Sequence, residues 1–199
     1  HQDVYVQKIG SNGNLIWGNG INVTLDGGID LAEKNPLLLS DGSGGTYVTW
    51  NIYASFTVYE NYMTHLDSTG AVDTNWNTIA LDTFRATHIE DGAGNNEYPA
   101  NNTWLQADGN IAVTYTRESP SETTAEMIVV QQDGLEANLS PSIQISNDNE
   151  YIGQFKGYEY GDYGVYGIFT VNSDVYAQRL DDNWLKEWGV TGLIVSSMD

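Results

Sequence analysis

Hydrophobic residues in this chain occur in short runs separated by clusters of glycine, asparagine and aspartate. Such clusters favour tight turns, because these residues tolerate positive φ angles; residues 11–14, 67–70 and 181–183 are examples. No segment spaces its apolar residues three and four apart over a dozen positions, as an amphipathic helix requires. Residues 30–34 allow one helical turn at most. The pattern therefore predicts an all-β fold.

One strand motif recurs at the two ends of the chain. Residues 3–9, D-V-Y-V-Q-K-I, return as Asp174–Leu180, D-V-Y-A-Q-R-L. Trp17 returns as Trp188 at the same offset of 171. Four identities, two conservative pairs and a tryptophan in register indicate an internal repeat.

Two weaker copies lie between these ends. Residues 62–66, followed by Gly70, match the first copy at an offset of 57, which is one third of 171. Residues 126–134 fit the remaining copy with one deletion before the glycine. In the second copy His65 takes the place that Lys8 has in the first, which predicts an exposed side chain.

A strand–turn–strand element accompanies the motif. Pro36 opens one version, which runs through a glycine turn to Trp50, and Pro99 opens a second; residues 161–169 form a third. With the motif strand and the strand after it, each unit has four strands. Four-stranded antiparallel units in series are typical of the blades of a β-propeller.

Counting strands divides the chain into blades. Residues 35–82, 98–146 and 150–197 each supply a complete blade, whereas residues 1–25 supply only the outer two strands of another. We expect the missing inner strands to come from the rest of a longer chain or from a partner, because an unpaired blade edge promotes aggregation.

The repeat resembles a known group of proteins. The pattern D-x-Y-x-Q-(K/R)-(I/L), then N-G, W, P and D-G-x-G-G-x-Y-V-x-W, is similar to the β-propeller repeats of secreted or cell-surface proteins of Bacteroidota and related bacteria. Many of those proteins are exported by the type IX pathway. The resemblance implies a propeller segment, an extracellular or cell-surface location and export as a type IX passenger.

In a four-stranded meander the short turns and the long loops lie on opposite faces, and long loops tend to carry function. Each long loop between blades brings carboxylates to the start of an innermost strand. Three interpretations are open: general acid–base catalysis on a glycoside, calcium binding, or a solvated acidic rim. The carboxylates are Asp30 and Glu33, Asp91 and Glu97, and Asp148 and Glu150; an enzyme would use Glu97, Asp91, Asp30 and Glu150, and calcium would bind Asp91, Asn95 and Glu97.

Aromatic residues give a second candidate site. Tyrosine and tryptophan stack on sugar rings while their polar tips bond hydroxyl groups. Strand aromatics such as Trp76 and Trp104 are expected instead to fill the space between blades. The candidates for glycan contact are therefore the loop aromatics Tyr53, Phe56, Phe84 and Tyr98.

The composition of the chain limits the kinds of partner that it is expected to bind. Asp and Glu number 27 against 7 Lys and Arg, so the formal net charge of −20 disfavours nucleic acid and anionic lipid. The absence of cysteine excludes disulfides, thiol catalysis and Cys-ligated zinc. No apolar run is long enough for a membrane helix, so membrane insertion is not expected.

These features favour a non-enzymatic segment that mediates binding or adhesion, with a glycan or a surface protein as partner. The second hypothesis is a polysaccharide-active hydrolase or lyase that uses the loop carboxylates. The third is a structural spacer or secretion cargo without a ligand. No cofactor is expected apart from the calcium ion considered above.

Overall fold

The computed structural model describes residues 3–23, 32–55, 58–73, 76, 96–97, 102–118, 122–132, 143–146, 152–161 and 164–197. Within these ranges the chain forms fourteen β-strands in four antiparallel sheets, and α-helix is absent from them. The all-β prediction is therefore confirmed. The described residues thus include no helix long and apolar enough to cross a membrane.

The first two sheets come from the N-terminal third. Sheet 1 pairs β1 with β2, and sheet 2 has the order β3-β4-β5. Each strand pairs with the next along the chain, as in a meander. Their bounds are β1 Tyr5–Val6, β2 Ile21–Asn22, β3 Ala32–Ser40, β4 Thr46–Ser55 and β5 Val58–Leu66.

Sheets 3 and 4 complete the series. In sheet 3, β6 and β7 both pair with β8, followed by β9 and β10; sheet 4 has the order β11-β12-β13-β14. The bounds are β6 Asn96–Glu97, β7 Asn102–Leu105, β8 Ile111–Glu118, β9 Thr123–Val130, β10 Ile143–Gln144, β11 Ile152–Tyr160, β12 Gly164–Val171, β13 Asp174–Leu180 and β14 Leu193–Ser196.

Pro36 lies inside β3 rather than at its start. The strand begins at Ala32, and its register with β4 shifts between Lys34 and Leu37. Asn35 has a φ of 55° at this bulge. Within the described part of sheet 2, β3 pairs only with β4, and an edge strand with a bulge is where a sheet accepts a proline that has no N–H to donate.

The repeat has a common local geometry. Isolated bridges join Ile9 to Leu15, Leu66 to Val72 and Leu180 to Lys186, at the offsets of 57 and 171 that separate the sequence copies. Each bridge closes a turn after the motif strand. In two of these turns an aspartate caps the backbone: Asp67 accepts from Ala71 N at 3.0 Å, and Asp181 accepts from Leu185 N at 2.9 Å.

The glutamine of the motif also has a defined role. The side chain of Gln7 donates to the carbonyl of Gly18 at 3.0 Å and accepts from the amide of Trp17 at 3.0 Å. Gln178 makes the same two bonds 171 residues later, at 2.7 and 3.2 Å. The spacing between glutamine and tryptophan is thus fixed because one side chain ties the two outer strands together.

The sheets pack face to face in chain order. One apolar cluster joins sheet 1 to sheet 2 through residues such as Val23 and Trp50, and a second joins sheet 2 to sheet 3 through Met63 and Ile128. A third joins sheet 3 to sheet 4 around Phe169. Sheets 2 and 3 are therefore buried on both faces, which explains why their strands do not alternate cleanly between apolar and polar residues.

Candidate functional site

The strands of sheets 2, 3 and 4 run between two ends. At the turn end, the short turns 41–45, 106–110 and 181–185 close with backbone hydrogen bonds. At the loop end, β8 finishes at Glu118, β9 begins at Thr123 and β11 begins at Ile152. The loop end corresponds to the long-loop face that the sequence singles out.

A cleft of about 390 Å³ opens at the loop end between sheets 3 and 4. Side chains at alternate positions of β8 share one face of its sheet, which brings Thr116 and Glu118 to the cleft together. Thr123 stands directly opposite Glu118 on β9. Ile152 and Gly153, at the start of β11, form the opposite wall.

The lining is suited to a neutral, hydroxyl-rich ligand. The two threonine hydroxyls both donate and accept hydrogen bonds, and the carboxylate of Glu118 accepts them when ionised. Ile152 supplies an apolar surface next to Gly153. Among the described residues that line the cleft there is no lysine or arginine, and the carboxylate of Glu118 disfavours a phosphate or a carboxylate ligand.

A buried carboxylate supports the cleft from the other face of sheet 3. The side chain of Glu126, which is 1% exposed, accepts from Thr124 Oγ1 at 2.6 Å and from Tyr115 Oη at 3.1 Å. Arg117 Nε lies 2.8 Å from it in an ion pair. These contacts hold the ends of β8 and β9 together, and the residues alternate with those of the cleft along both strands.

The predicted site residues lie largely outside the part of the chain that the structure describes. The backbone of Glu97 is described in β6, opposite Arg117 and next to the Asn96–Glu118 pair, so it runs along the edge of β8 beside the cleft. The backbone of Tyr53 pairs with Ala32 and Tyr59 in sheet 2. Outside the described residues lie Asp30, Asp91, Asn95, Glu150, Phe56, Phe84 and Tyr98, together with Asp148.

Other predicted residues can be placed. Glu33 is a buried residue of β3 rather than a rim carboxylate, and Trp76 and Trp104 are buried in the cores between sheets, as expected for strand aromatics. Among the described residues, no three His, Asp or Glu side chains come together as a metal site.

Sequence reasoning missed the cleft residues. Glu118 and Thr123 flank a loop that the sequence marks as long, but neither residue type is distinctive alone. The available indication was the alternation T-Y-T-R-E at the end of β8, which places hydroxyl and carboxylate groups on one face.

A second polar cluster lies at the turn end of sheet 2. His65 is only 14% exposed, so the prediction of an exposed side chain was wrong. Its Nε2 lies 3.1 Å from Asp41 Oδ2 and its Nδ1 lies 3.2 Å from Asp73 Oδ2. Tyr47 stacks on the imidazole with ring centroids 4.5 Å apart. The cross-strand position opposite Tyr47 accounts for this burial.

Asp41 titrates unusually low. Desolvation by burial opposes ionisation, but the pKa falls from 3.8 to about 2 because the charged carboxylate accepts from the hydroxyl and amide of Ser43, from His65 and from the amide of Gly45. The folded pKa is below the unfolded one. The charged form therefore stabilises the fold above about pH 4, and this contribution disappears as the pH falls towards 2.

Asp41→Asn should reduce the acid sensitivity of the protein. Urea midpoints measured between pH 5 and pH 2 should fall more steeply in the wild type than in the variant, by about 1 to 2 kcal/mol in the free energy of unfolding. Asp182→Asn, which removes one charge from an exposed turn, is the matched control. Equal pH slopes for the wild type and Asp41→Asn would contradict this assignment.

Comparison with known proteins finds a likeness of fold among the solved structures. No family model matches the chain, and no curated protein matches it. The fold resembles that of an endo-arabinase. This enzyme, from Bacteroides thetaiotaomicron, superposes with a TM-score of 0.51 at 9% sequence identity over 81% of this chain and 61% of its own. The chain thus spans less than two thirds of its structural neighbour, and the likeness concerns the fold alone.

Proposed function

We propose that this chain is a β-propeller segment that binds a neutral glycan in the cleft between sheets 3 and 4 without cleaving it. The observation that carries the proposal is the lining of that cleft, in which two threonine hydroxyls and one carboxylate face an apolar wall. Glycan sites combine polar groups that bond hydroxyls with apolar surface for the sugar ring. The net charge of −20 favours a neutral polymer over an anionic one.

Several observations support the propeller arrangement. Four sheets follow one another in chain order, three apolar cores join consecutive sheets, and the same bridge recurs at fixed offsets. In this arrangement sheet 1 is half a blade, and its inner strands come from the rest of a longer chain or from a partner. The resemblance of the motif to the repeats of secreted Bacteroidota proteins extends the proposal to a cell-surface location and export by the type IX pathway.

Binding is favoured over hydrolysis by the number of carboxylates. Glycoside hydrolysis in most families uses two carboxyl groups on opposite sides of the scissile bond. Within the described residues the cleft contains one, Glu118. Glu126 does not serve as the second, because it lies on the other face of sheet 3 and its oxygens are engaged by Thr124, Tyr115 and Arg117.

A polysaccharide hydrolase or lyase is the second candidate. The structural neighbour is an endo-arabinase, which favours a carbohydrate-active role, although at 9% identity no residue role transfers. In this version Glu97, whose backbone lies opposite Arg117, or Asp91, Asp30 or Glu150 supplies the second carboxylate at the loop end.

Binding can be measured by calorimetry with arabinan, which the neighbour's name makes the first choice, and with other neutral plant and algal polysaccharides. Thr123→Val and Glu118→Gln should each weaken binding about tenfold, because each removes one or two hydrogen bonds to the ligand. Glu159→Gln, near the turn end of β11, is the control and should bind normally. If no glycan binds, or if both cleft variants bind normally, the glycan proposal is wrong and the spacer hypothesis gains.

The same polysaccharides separate binding from catalysis. We expect no release of reducing ends by the wild type. Release that is lost in Glu97→Gln, while binding persists, would establish the hydrolase instead.

Calcium at Asp91, Asn95 and Glu97 belongs to this proposal as a separate part. Carboxylate and amide oxygens are suitable ligands for this ion. If calcium orders the loop end, a chelator will lower the melting temperature and added calcium will restore it. If neither the chelator nor added calcium changes the melting temperature, the calcium proposal is wrong.

A further inference from the structure

The wall of the cleft that belongs to sheet 4 contains a β-bulge. Two residues of β11, Gly153 and Gln154, stand opposite one residue of β12, Thr170. An extra residue of this kind bends a strand and redirects the side chains beside it, and bulges are frequent next to binding sites. The pairs that flank the bulge are Ile152 with Val171 and Phe155 with Phe169.

The bulge sets the direction of Ile152. In a regular strand, side chains three positions apart point to opposite faces of the sheet. Ile152 and Phe155 are three positions apart, yet both are 6% exposed in the apolar cluster between sheets 3 and 4. Without the extra residue, Phe155 in the core would leave Ile152 on the face of sheet 4 that points away from sheet 3. The cleft would then lose its apolar wall.

Thr170 holds the bulge in place. Its hydroxyl oxygen accepts from the backbone amide of Gln154 at 2.9 Å. This bond gives the amide a partner at the point where the extra residue interrupts the ladder between β11 and β12.

Gly153 leaves the room that this hydroxyl needs. A Cβ at position 153 would lie 2.8 Å from Thr170 Oγ1, which is closer than such atoms approach one another. Any larger residue at this position would therefore push the hydroxyl away from the amide of Gln154. We call the bond between Thr170 and Gln154, together with the space at Gly153, the bulge latch.

We propose that Thr170 is a positioning residue for glycan binding, because the bulge latch places Ile152 and Gly153 against the ligand. This inference rests on the proposed binding of a neutral glycan in the same cleft. The described residues that line the cleft do not include Thr170, so it acts on the ligand through β11. The wall that faces Glu118 and Thr123 is thus fixed by a hydroxyl group on the strand behind it.

Calorimetry with arabinan and the other neutral polysaccharides tests this role in two variants of Thr170. Thr170→Val keeps the shape of the side chain but does not accept from the amide, so binding should weaken about three- to tenfold. Thr170→Ser keeps the hydroxyl and should bind as the wild type does. If the methyl group of Thr170 mattered instead, the order of the two variants would be reversed. Thr46→Val is the matched control, because it removes a hydroxyl that donates to the carbonyl of Leu39 at 3.0 Å, at the turn end of sheet 2.

Gly153→Ala tests the other half of the bulge latch. It should weaken binding about as much as Thr170→Val, because its Cβ displaces the hydroxyl. In the background of Thr170→Ala there is no hydroxyl to displace, so adding Gly153→Ala should cost no further affinity. If Thr170→Val does not fold by circular dichroism, Gly153→Ala and the double variant carry the test.

The outcomes separate this inference from the proposed function. A wild type that binds none of the polysaccharides overturns both. If the wild type binds and Thr170→Val binds equally well, the positioning role is wrong and the glycan proposal stands. Thr170→Ser that binds as weakly as Thr170→Val, or losses that add in the double variant, would also overturn the positioning role alone. Losses in Thr170→Val and Gly153→Ala that Thr170→Ser and Thr46→Val do not share would support it.

Discussion

Trp76→Ala should lower the free energy of unfolding by about 3–5 kcal/mol, the range for deleting a buried tryptophan. The side chain is 1% exposed in the core between sheets 2 and 3, with Tyr47 5.6 Å away between ring centroids. Its Nε1 also holds the turn carbonyl of Gln132 in the neighbouring sheet. Urea unfolding followed by tyrosine fluorescence and circular dichroism measures the loss.

Trp76→Phe separates the two contributions. Phenylalanine keeps most of the apolar volume but does not donate to Gln132, so the expected loss is smaller, about 1–2 kcal/mol. Trp188→Ala is a second control, because Trp188 is only partly buried and its removal should cost less than that of Trp76. Equal losses for Trp76→Ala and Trp188→Ala would show that the contact between Trp76 and sheet 3 contributes nothing special to stability.

Glu126→Ala should destabilise the protein by about 3–5 kcal/mol, because it breaks a buried ion pair and removes the acceptor of two hydroxyl groups. Arg117 Nε is 2.8 Å from Glu126, and two hydroxyl groups also donate to it. Glu126→Gln keeps the shape and should lose less. Since Glu118 and Thr123 belong to the same two strands, Glu126→Ala should also weaken glycan binding.

The matched surface variant is Glu159→Gln, an exposed position on β11 that should unfold like the wild type. Denaturant midpoints for Glu126→Ala and Glu159→Gln that agree within experimental error would contradict the structural role given to Glu126.

The local parts of the fold could be predicted from the sequence. The glycine–asparagine–aspartate turns and the absence of helical spacing predicted an all-β chain, and the four antiparallel sheets confirm it. The motif residues revealed the repeat because Gln7 and Gln178 make their hydrogen bonds within their own sheet, to residues that are close in the chain. Such contacts are visible in sequence because one unit contains both partners.

The remaining features depend on contacts between units. The cleft combines Glu118 and Thr123 of sheet 3 with Ile152 of sheet 4, and no single segment contains that combination. His65 was expected to be exposed from its repeat position, but Tyr47 and two aspartates enclose it. The periodicity of a sequence does not show which side chain lies opposite on the neighbouring strand.

Distances between equivalent turns test the central claim that one unit is repeated around an axis. Positions 14, 71 and 185 are equivalent: each is exposed, and the backbone carbonyl of each accepts the same turn hydrogen bond. The chain has no cysteine, so Asn14→Cys, Ala71→Cys and Leu185→Cys can be combined in pairs and spin-labelled without background. Pulsed electron paramagnetic resonance then gives three distances.

If each repeat unit is rotated by the same angle about one axis, positions 14 and 71 are one rotation apart. Positions 71 and 185 are then two rotations apart, and positions 14 and 185 are three rotations apart. Each distance is first divided by the 14–71 distance. The ratio obtained for the 14–185 pair should then be smaller by one than the square of the ratio obtained for the 71–185 pair. Three distances that satisfy this relation would support the ring of repeated sheets. Distances that violate it beyond the width of the label distributions would contradict the ring, and with it the propeller arrangement.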